Sequence, residues 1–201
     1  MKSLIMTVDP LLNPQKATEV QLNEELNWIQ AAKNDLQAFR PLYEKYYEPV
    51  YLFIHRRCNH SDDCLDITSR VFEKAMLSIS KYKYMGYAFS TWLYRIAQNE
   101  LYDYFKKQNK AQKLWVHDDG LAEISKDIAY DTTADEQLEL VIDALKTISD
   151  SDRNTIVMRY FEKRSYEELA AIEEIKVEHL RVKIHRIIQR IKKEIERKHS
   201  L

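Results

Sequence analysis

The sequence predicts an all-helical protein. Only two of its 201 residues are glycine, where an average composition of about 7% would supply roughly fourteen, and the tight turns of sheet proteins depend on glycine. Apolar residues recur at spacings of three and four through most of the chain. The helix-breaking prolines lie only near the beginning, at Pro10, Pro14, Pro41 and Pro49. Residues 50–201 are therefore free of the strongest helix breaker.

Composition and charge exclude several classes of protein. Hydrophobic residues make up 45% and charged residues 31% of the chain, which is typical of a folded protein. Apolar runs fall short of the ~20 residues that span a bilayer, and the beginning of the chain lacks the apolar stretch of a signal peptide. We therefore expect a cytoplasmic protein without membrane insertion. The formal net charge is −1, so nucleic-acid binding would require a local basic face.

The helical pattern divides the chain into two domains with flanking segments. Residues 1–21 have no clear period and are predicted to form an N-terminal extension. Residues 22–110 contain four helical blocks, separated by polar breaks near 33–35, 59–63 and 81–86. Residues 111–137 are predicted to form an acidic linker, because seven acids and only Lys126 lie between His117 and Gln137. Helical periodicity returns in a second domain, residues 138–201.

The second domain has the pattern of a helix-turn-helix. Ser165 and Glu168 form a capping box that begins a short helix, with Leu169 and Ile172 on its apolar side. After a polar interruption at Glu173–Glu174, a longer helix places apolar residues on one face at helical spacing. These residues are Val177, Leu180, Ile184, Ile188, Ile191 and Ile195.

The opposite face of the longer helix is basic, and it is the predicted DNA surface. Early residues of the second helix of such a motif reach base edges, while flanking cations hold phosphates. A basic amphipathic helix alone is more often a solvated surface, but the capped helix before it favours DNA binding. The predicted DNA-binding residues are Lys176, Glu178, His179, Arg181, Val182, Lys183, Arg186 and Arg190.

The segment FSTWLYRIAQNELYDYFKK in the first domain predicts another helix, capped by Ser90 or Thr91. Leu93, Ala97 and Leu101 form its core stripe, and we expect Trp92 in the core beside them. A second face combines amide, aromatic and cationic groups, which suit unpaired bases and phosphates. That face comprises Arg95, Asn99, Tyr102 and Lys106, with Asp103 beside it. An ordinary helix surface would show the same spacing, so the pattern alone leaves that alternative open.

The sequence offers little support for a metal site or for catalysis. His55, Cys58, His60 and Cys64 have a spacing that suits zinc, but a polar turn between two helices explains the same residues. A disulfide between the cysteines is disfavoured in a reducing cytosol. The chain lacks a phosphate-binding glycine loop, an H-E-x-x-H motif and a G-x-S-x-G motif. We expect neither a cofactor nor an enzyme.

Several of these segments resemble the extracytoplasmic-function group of sigma factors in the sigma-70 family. FSTWLYRIAQNELYDYFKK resembles the helix that melts promoters and reads the minus-ten element, and SYEELAAIEEIKVEHLRVKIHR resembles the minus-thirty-five helix-turn-helix. AFRPLYEKYYEPVY is similar to the opening helix pair, and DITSRVFEKA is similar to the helix that binds the polymerase clamp. The resemblance covers roughly residues 25–110 and 138–195.

The resemblance implies specific partners and roles. The clamp of the largest polymerase subunit would bind Asp66, Ser69, Arg70, Val71 and Phe72. Asn99, with the loop Lys81–Ala88 that leads into its helix, would capture unpaired bases, while Arg95, Lys106 and Lys107 would hold phosphates. The predicted DNA-binding residues of this loop and helix also include Lys81, Lys83, Tyr84, Tyr102 and Asp103. The flap of the second-largest subunit, promoter DNA and an anti-sigma factor complete the implied partners. The acidic linker would thread the active-site cleft of the polymerase.

The chain departs from the family pattern at three positions. Ser69 and Arg70 stand where the family usually has a glutamine and an acid, and Glu174 stands where it commonly has a glycine. Two alternatives remain open from the residues alone. One is a helix-turn-helix regulator whose first domain binds a ligand or a second copy, and the other is a degenerate relative that binds only protein partners.

Overall fold

The computed structural model describes residues 19–58, 60–108, 118–128 and 134–199, and these ranges contain helices without any strand. The prediction of an all-α protein is confirmed. The helices are α1 (Glu19–Asn34), α2 (Arg40–His55), α3 (Ser61–Ser78), α4 (Phe89–Gln108), α5 (Asp118–Ile128), α6 (Ala134–Thr147), α7 (Asp150–Ile156), α8 (Tyr166–Glu173) and α9 (Val177–His199). The chain divides into two units between residues 110 and 111.

The first unit is a bundle of α1–α4. Helix α3 packs against both α2 and α4, and α1 packs against α2 and the two short 3-10 turns at Leu36–Phe39 and Ile79–Lys81. The helix ends confirm the three predicted polar breaks. The core stripe predicted for α4 is also confirmed, since Leu93, Ala97 and Leu101 are fully buried.

A buried carboxylate on α1 joins three helices of this unit. Glu25 is only 4% exposed and accepts hydrogen bonds from the Tyr46 hydroxyl and from Lys45 Nζ at 2.5 Å, both on α2. Burial, together with the Glu25 charge, raises the pKa of Tyr46 above its usual range, which keeps the hydroxyl protonated as a donor. The other oxygen of Glu25 accepts the backbone N–H of Phe89 at 3.1 Å.

The Phe89 contact corrects the prediction for the start of α4. Ser90 and Thr91 were expected to cap the helix, but α4 begins at Phe89 and both residues lie buried inside its first turn. The first N–H groups of a helix lack intrahelical acceptors and carry a partial positive charge. The distant carboxylate of Glu25 meets both needs, so a local cap is not required.

The second unit consists of α5–α9, with the long α9 packed against α5, α6, α7 and α8. Leu180, Ile184, Ile188, Ile191 and Ile195 are buried as predicted, whereas Val177 is half-buried. Ser149 caps α7 by accepting from the Asp152 N–H. A π-helical turn, Val157–Phe161, leads from α7 towards α8.

The segment predicted to be an acidic linker contains ordered structure in its described part. Residues 118–128 form α5, and α6 begins at Ala134. Ile124 and Ile128 are buried, and α5 contacts the π-helical turn, α6 and α9. The many acids hid this apolar stripe, because isoleucines four residues apart share one face of a helix.

The helix-turn-helix forms at the predicted residues. Ser165 accepts from the Glu168 N–H at 3.1 Å, and the Glu168 carboxylate accepts from the Ser165 N–H at 3.0 Å, so the capping box is confirmed. Glu174 ends α8 in the left-handed conformation, with φ 56°. The turn therefore uses the backbone geometry that glycine adopts at low cost, although a glutamate occupies it.

A tyrosine contact in the first unit makes stability dependent on pH. Tyr104 on α4 donates to Asp63 on α3, and this hydrogen bond is the main reason that the pKa of Tyr104 rises from 10.0 to about 12. The unfolded chain loses this proton more readily, so the contribution is complete below pH 10 and is lost as the pH rises to about 12.

We expect Tyr104→Phe to weaken the decline in stability over this pH range. Urea unfolding at several alkaline pH values would measure it. Tyr102→Phe, at an exposed position of the same helix, is the matched control and should keep the full decline. An unchanged decline in Tyr104→Phe would contradict the assignment.

Candidate nucleic-acid interface

The first unit carries a groove of about 550 Å³ between α3, α4 and the turn that joins them. Three residues predicted to bind DNA, Lys81, Arg95 and Asn99, lie along it. The remaining lining residues are Lys74, Leu77, Ser78, Tyr82, Trp92, Ile96 and Glu100. Cations, an amide and aromatic rings thus border a single groove.

Trp92 is half-buried and lines this groove, which corrects the prediction that it belongs to the core. Its ring lies 5.1 Å from Tyr82 and 5.3 Å from Phe89, measured between centroids. Tyr82 and Phe89 are themselves buried, so they hold the indole in place. The part of the indole that remains exposed is a stacking surface of the kind that binds unpaired bases.

Glu100 supplies a negative charge beside the groove. It is 5% exposed, and its carboxylate pairs with Lys74 and lies 3.2 Å from Arg70 Nε. Both cations extend from α3. Arg70, which departs from the family pattern, is therefore paired with Glu100 on α4. This ion pair and the one with Lys74 join α3 to α4 beside the groove.

The other residues of the first unit that were predicted to bind DNA are exposed to solvent but do not line the groove. Tyr102, Asp103, Lys106 and Lys107 continue along α4, and Lys106 Nζ lies 6.0 Å from the centre of the Tyr102 ring. On the loop before α4, Lys83 and Tyr84 are exposed.

Met85 lies in the loop predicted to capture unpaired bases but was not among the individual residues predicted to bind DNA, and it is 78% exposed. Its neighbour Gly86 has φ 84°, and a Cβ there would meet no atom within 4 Å. The glycine therefore serves the backbone bend, and the bend carries an apolar side chain into solvent.

The residues predicted to bind polymerase fall into two groups. Asp66, Ser69 and Arg70 lie on the exposed face of α3. Val71 and Phe72 do not: their exposed fractions are 0% and 2%, and the Phe72 ring packs 4.8 Å from that of Tyr43. The prediction that these two residues touch the polymerase clamp is corrected, because both belong to the core of the unit.

In the second unit, α9 presents most of the predicted DNA-binding residues to solvent. The exposed ones are Lys176, Glu178, His179, Arg181, Val182, Arg186 and Arg190. His185 and Gln189, which were not predicted, are also exposed on this helix. The guanidinium of Arg181 lies 5.2 Å from the centre of the Tyr166 ring, a distance typical of a cation–π contact.

Two of the predicted cations are engaged within the protein. Lys183 is half-buried and pairs with Glu173 at 2.7 Å, and Arg190 pairs with Asp152 at 2.9 Å. Glu173 also accepts from the Thr155 hydroxyl at 2.5 Å. The Glu173 charge is therefore turned inward and neutralised, although it borders the basic face in the sequence.

The residues considered for zinc do not come together as a metal site. The described part of the chain contains no group of three or more histidine, cysteine, aspartate or glutamate residues able to hold a metal. Cys58 and Cys64 are buried, and the Cys64 thiol donates to the His60 carbonyl at 3.0 Å.

None of the described helices is long and apolar enough to cross a membrane.

Comparisons with known proteins identify related families and structures. The family model for sigma-70 region 2 matches residues 42–111, and that for sigma-70 region 4 matches residues 144–193. In Bacillus subtilis, RNA polymerase sigma factor YlaC is 25% identical over 76% of this chain and 88% of its own length. The ECF RNA polymerase sigma factor SigW of the same organism is 27% identical over 83% and 93%.

Two solved structures share the fold. CnrH, in complex with the cytosolic domain of CnrY, has a TM-score of 0.55 at 17% identity and covers 86% of this chain and 97% of its own. The sigma factor RpoE from Bartonella quintana, in complex with the anti-sigma factor NepR, has a TM-score of 0.50 at 19% identity. It covers 79% of this chain and 96% of its own.

Because Phe72 is buried, truncating its side chain should affect the stability of the first unit, whereas truncating an exposed residue of α3 should not. We expect Phe72→Ala to lower the free energy of unfolding by about 3–5 kcal/mol, because truncating a buried ring leaves a cavity. Ser69→Ala, on the exposed face of the same helix, should change it by less than about 0.5 kcal/mol. Urea denaturation of both variants measures the difference, and a Phe72→Ala variant of normal stability would show that the ring is not part of the core.

Proposed function

Because this chain belongs to the sigma-70 family of RNA polymerase sigma factors, in its extracytoplasmic-function group, we propose that its two units read different promoter segments for core polymerase. The observation that carries the proposal is the groove of the first unit, which is lined by Asn99, Arg95 and Lys81 together with the partly exposed ring of Trp92. These groups match the three needs of an unpaired strand, namely base edges, phosphates and a stacking surface.

The first unit would stabilise the melted minus-ten element. Removing a base from a duplex costs a few kcal/mol, and stacking on an aromatic ring returns about 1–3 kcal/mol per base. Trp92 offers such a ring, and the Asn99 amide lies on the same groove. The exposed residues Tyr102, Lys106 and Lys107 extend the surface along α4, where the strand would continue.

The second unit would bind the minus-thirty-five element through α9. Glu178, His179 and Val182 are exposed in the first turns of the helix, the part of a helix-turn-helix that reaches base edges. Lys176, Arg181 and Arg186 flank them as cations for the phosphates. Lys183 and Arg190, which form ion pairs in the protein, would instead support the position of α9.

Polymerase would dock on the exposed face of α3. Asp66, Ser69 and Arg70 remain the predicted contacts with the clamp, and Leu65 is a large apolar side chain exposed beside them on the same helix. The polymerase flap would bind the second unit. Val71 and Phe72 contribute by maintaining the core beneath this face.

Further points follow from the comparisons. The protein would act in the cytoplasm, where RNA polymerase is found, and would work by binding energy without catalysing a reaction. An anti-sigma factor is a further expected partner, since RpoE from Bartonella quintana, which shares this fold, was solved in complex with the anti-sigma factor NepR. A helix-turn-helix regulator that acts without polymerase is disfavoured, because the region 2 match covers α2, α3 and α4.

Two arginines of α9 test the DNA-binding role of the second unit. We expect Arg181→Ala and Arg186→Ala each to weaken binding to a short DNA duplex and to lower the salt dependence by about one unit of slope, since each removes one phosphate contact. Fluorescence anisotropy at several salt concentrations measures both. Lys193→Ala, an exposed cation nearer the end of α9, is the control; equal effects from all three variants would argue against a defined surface.

Transcription tests the role of the groove. Core RNA polymerase from Bacillus subtilis, loaded with this protein, would select templates from a random-sequence duplex library, and run-off transcripts from them would be quantified. We expect Asn99→Ala to reduce transcript yield roughly tenfold, the equivalent of one lost base contact. Gln98→Ala, an amide on the same helix outside the groove lining, should keep the yield. No transcript from the unmodified protein would sink the proposed function.

A further inference from the structure

Helix α5 covers part of the second unit with an acidic, closely fitted surface. Ile124 and Ile128 are buried against the unit. Gly120 lies over the Phe161 ring so closely that a Cβ at this position would overlap ring atoms. Phe161 is itself buried and has little freedom to move. A glycine, one of two in the chain, therefore permits the helix to dock.

Two carboxylates of α5 contact side chains of the π-helical turn and of Lys163, which follows that turn. Glu123 pairs with Lys163 and lies 3.9 Å from an Arg159 nitrogen. Asp127 accepts from the Tyr160 hydroxyl at 2.5 Å. Lys163 stands two residues before Ser165, the cap of the first helix of the helix-turn-helix.

One of these two cations, Arg159, lies close to the basic face of α9. The Arg159 guanidinium lies 4.9 Å from the centre of the Tyr166 ring, and Arg181 lies 5.2 Å from the same ring. Tyr166 thus stands between a cation held by α5 and a cation of the proposed DNA surface. In a helix-turn-helix complex the first helix crosses the DNA backbone, and Lys163 lies just before that helix, two residues ahead of its cap Ser165.

We propose that Arg159 and Lys163 form an additional DNA-backbone site, and that α5 occupies this site as an internal competitor of the phosphates. The proposal rests on DNA binding by α9. Glu123 takes the position of a phosphate between the two cations, and displacement of α5 releases both to DNA.

The contacts suit a helix that binds reversibly. Glu123 and Lys163 are each 37% exposed and Arg159 is 25% exposed, and ion pairs at such positions are weak. An eleven-residue helix is marginal on its own in water, so α5 depends on Ile124, Ile128 and the Gly120 contact to persist. The short length of the helix and its partly exposed ion pairs favour local opening of the segment.

Removing the negative charge of Glu123 tests the proposal directly. We expect Glu123→Gln to raise the affinity of the full chain for a short DNA duplex about threefold at low salt and to increase the salt slope by about one to two units, as two cations reach phosphates. Glu139→Gln removes the same charge from an exposed position on α6 and controls for net charge. Affinity and slope equal to those of Glu139→Gln would overturn the proposal.

A double-variant cycle identifies the released cation. Lys163→Ala should have little effect in the unmodified chain, because α5 occupies that cation, but should cancel much of the gain in the Glu123→Gln background. Gly120→Ala, which displaces α5 by steric overlap, should raise affinity in the same direction, with circular dichroism confirming that the helices persist. Equal loss from Lys163→Ala in both backgrounds would contradict a covered site.

The same measurements separate this proposal from the proposed function. If Arg181→Ala weakens binding while Glu123→Gln matches its control, α9 binds DNA and the covered site is refuted. If neither the unmodified chain nor any variant binds the duplex, both proposals fail.

Discussion

The first unit depends on one buried carboxylate. Glu25 reaches from α1 to Lys45 and Tyr46 on α2 and to the first N–H of α4. A charge in the interior is costly unless it is paired and hydrogen-bonded, and here three donors satisfy it. Because α4 carries Arg95 and Asn99, this contact between α1 and the start of α4 also sets the position of the groove.

The two units carry their exposed cations in different settings. In the first unit, positive groups border a groove with an aromatic wall, whereas in the second they line the outer face of one helix. Acids near each surface are paired within the protein: Glu100 with Arg70 and Lys74, and Glu173 with Lys183. This pairing explains how a chain with a net charge of −1 displays basic faces, since only the local distribution of charge matters for binding.

Local patterns were predictable from the sequence, and contacts between distant residues were not. The Ser165–Glu168 capping box and the isoleucine stripe of α9 depend on neighbours within one or two helical turns, so their spacing revealed them. Glu25 meets Phe89 across 64 positions, and no periodicity links the two residues. The expected cap at Ser90 or Thr91 failed for this reason.

The misplaced site residues have a similar cause. Val71 and Phe72 were assigned to a partner surface through resemblance to a family, but their spacing from Ile67 and Ala75 already matched the buried stripe of α3. Trp92 was assigned to the core because it lies beside the stripe of Leu93, Ala97 and Leu101 on α4, and its partial exposure depends on how Tyr82 and Phe89 fill the space behind it. In α5 the acids concealed Ile124 and Ile128, whose four-residue spacing was the available signal.

The location of Trp92 gives the protein a built-in optical reporter. Indole emission responds to the polarity and stacking of its surroundings, and this ring stands on the groove where an unpaired base would lie. The Trp28 ring, by contrast, lies 5.8 Å from Lys45 Nζ, near the other end of the Glu25 contact. The chain has a third tryptophan, Trp115, so replacing Trp28 and Trp115 by phenylalanine would leave Trp92 as the single indole, and its emission would then follow the α4 side of the bundle without an attached dye.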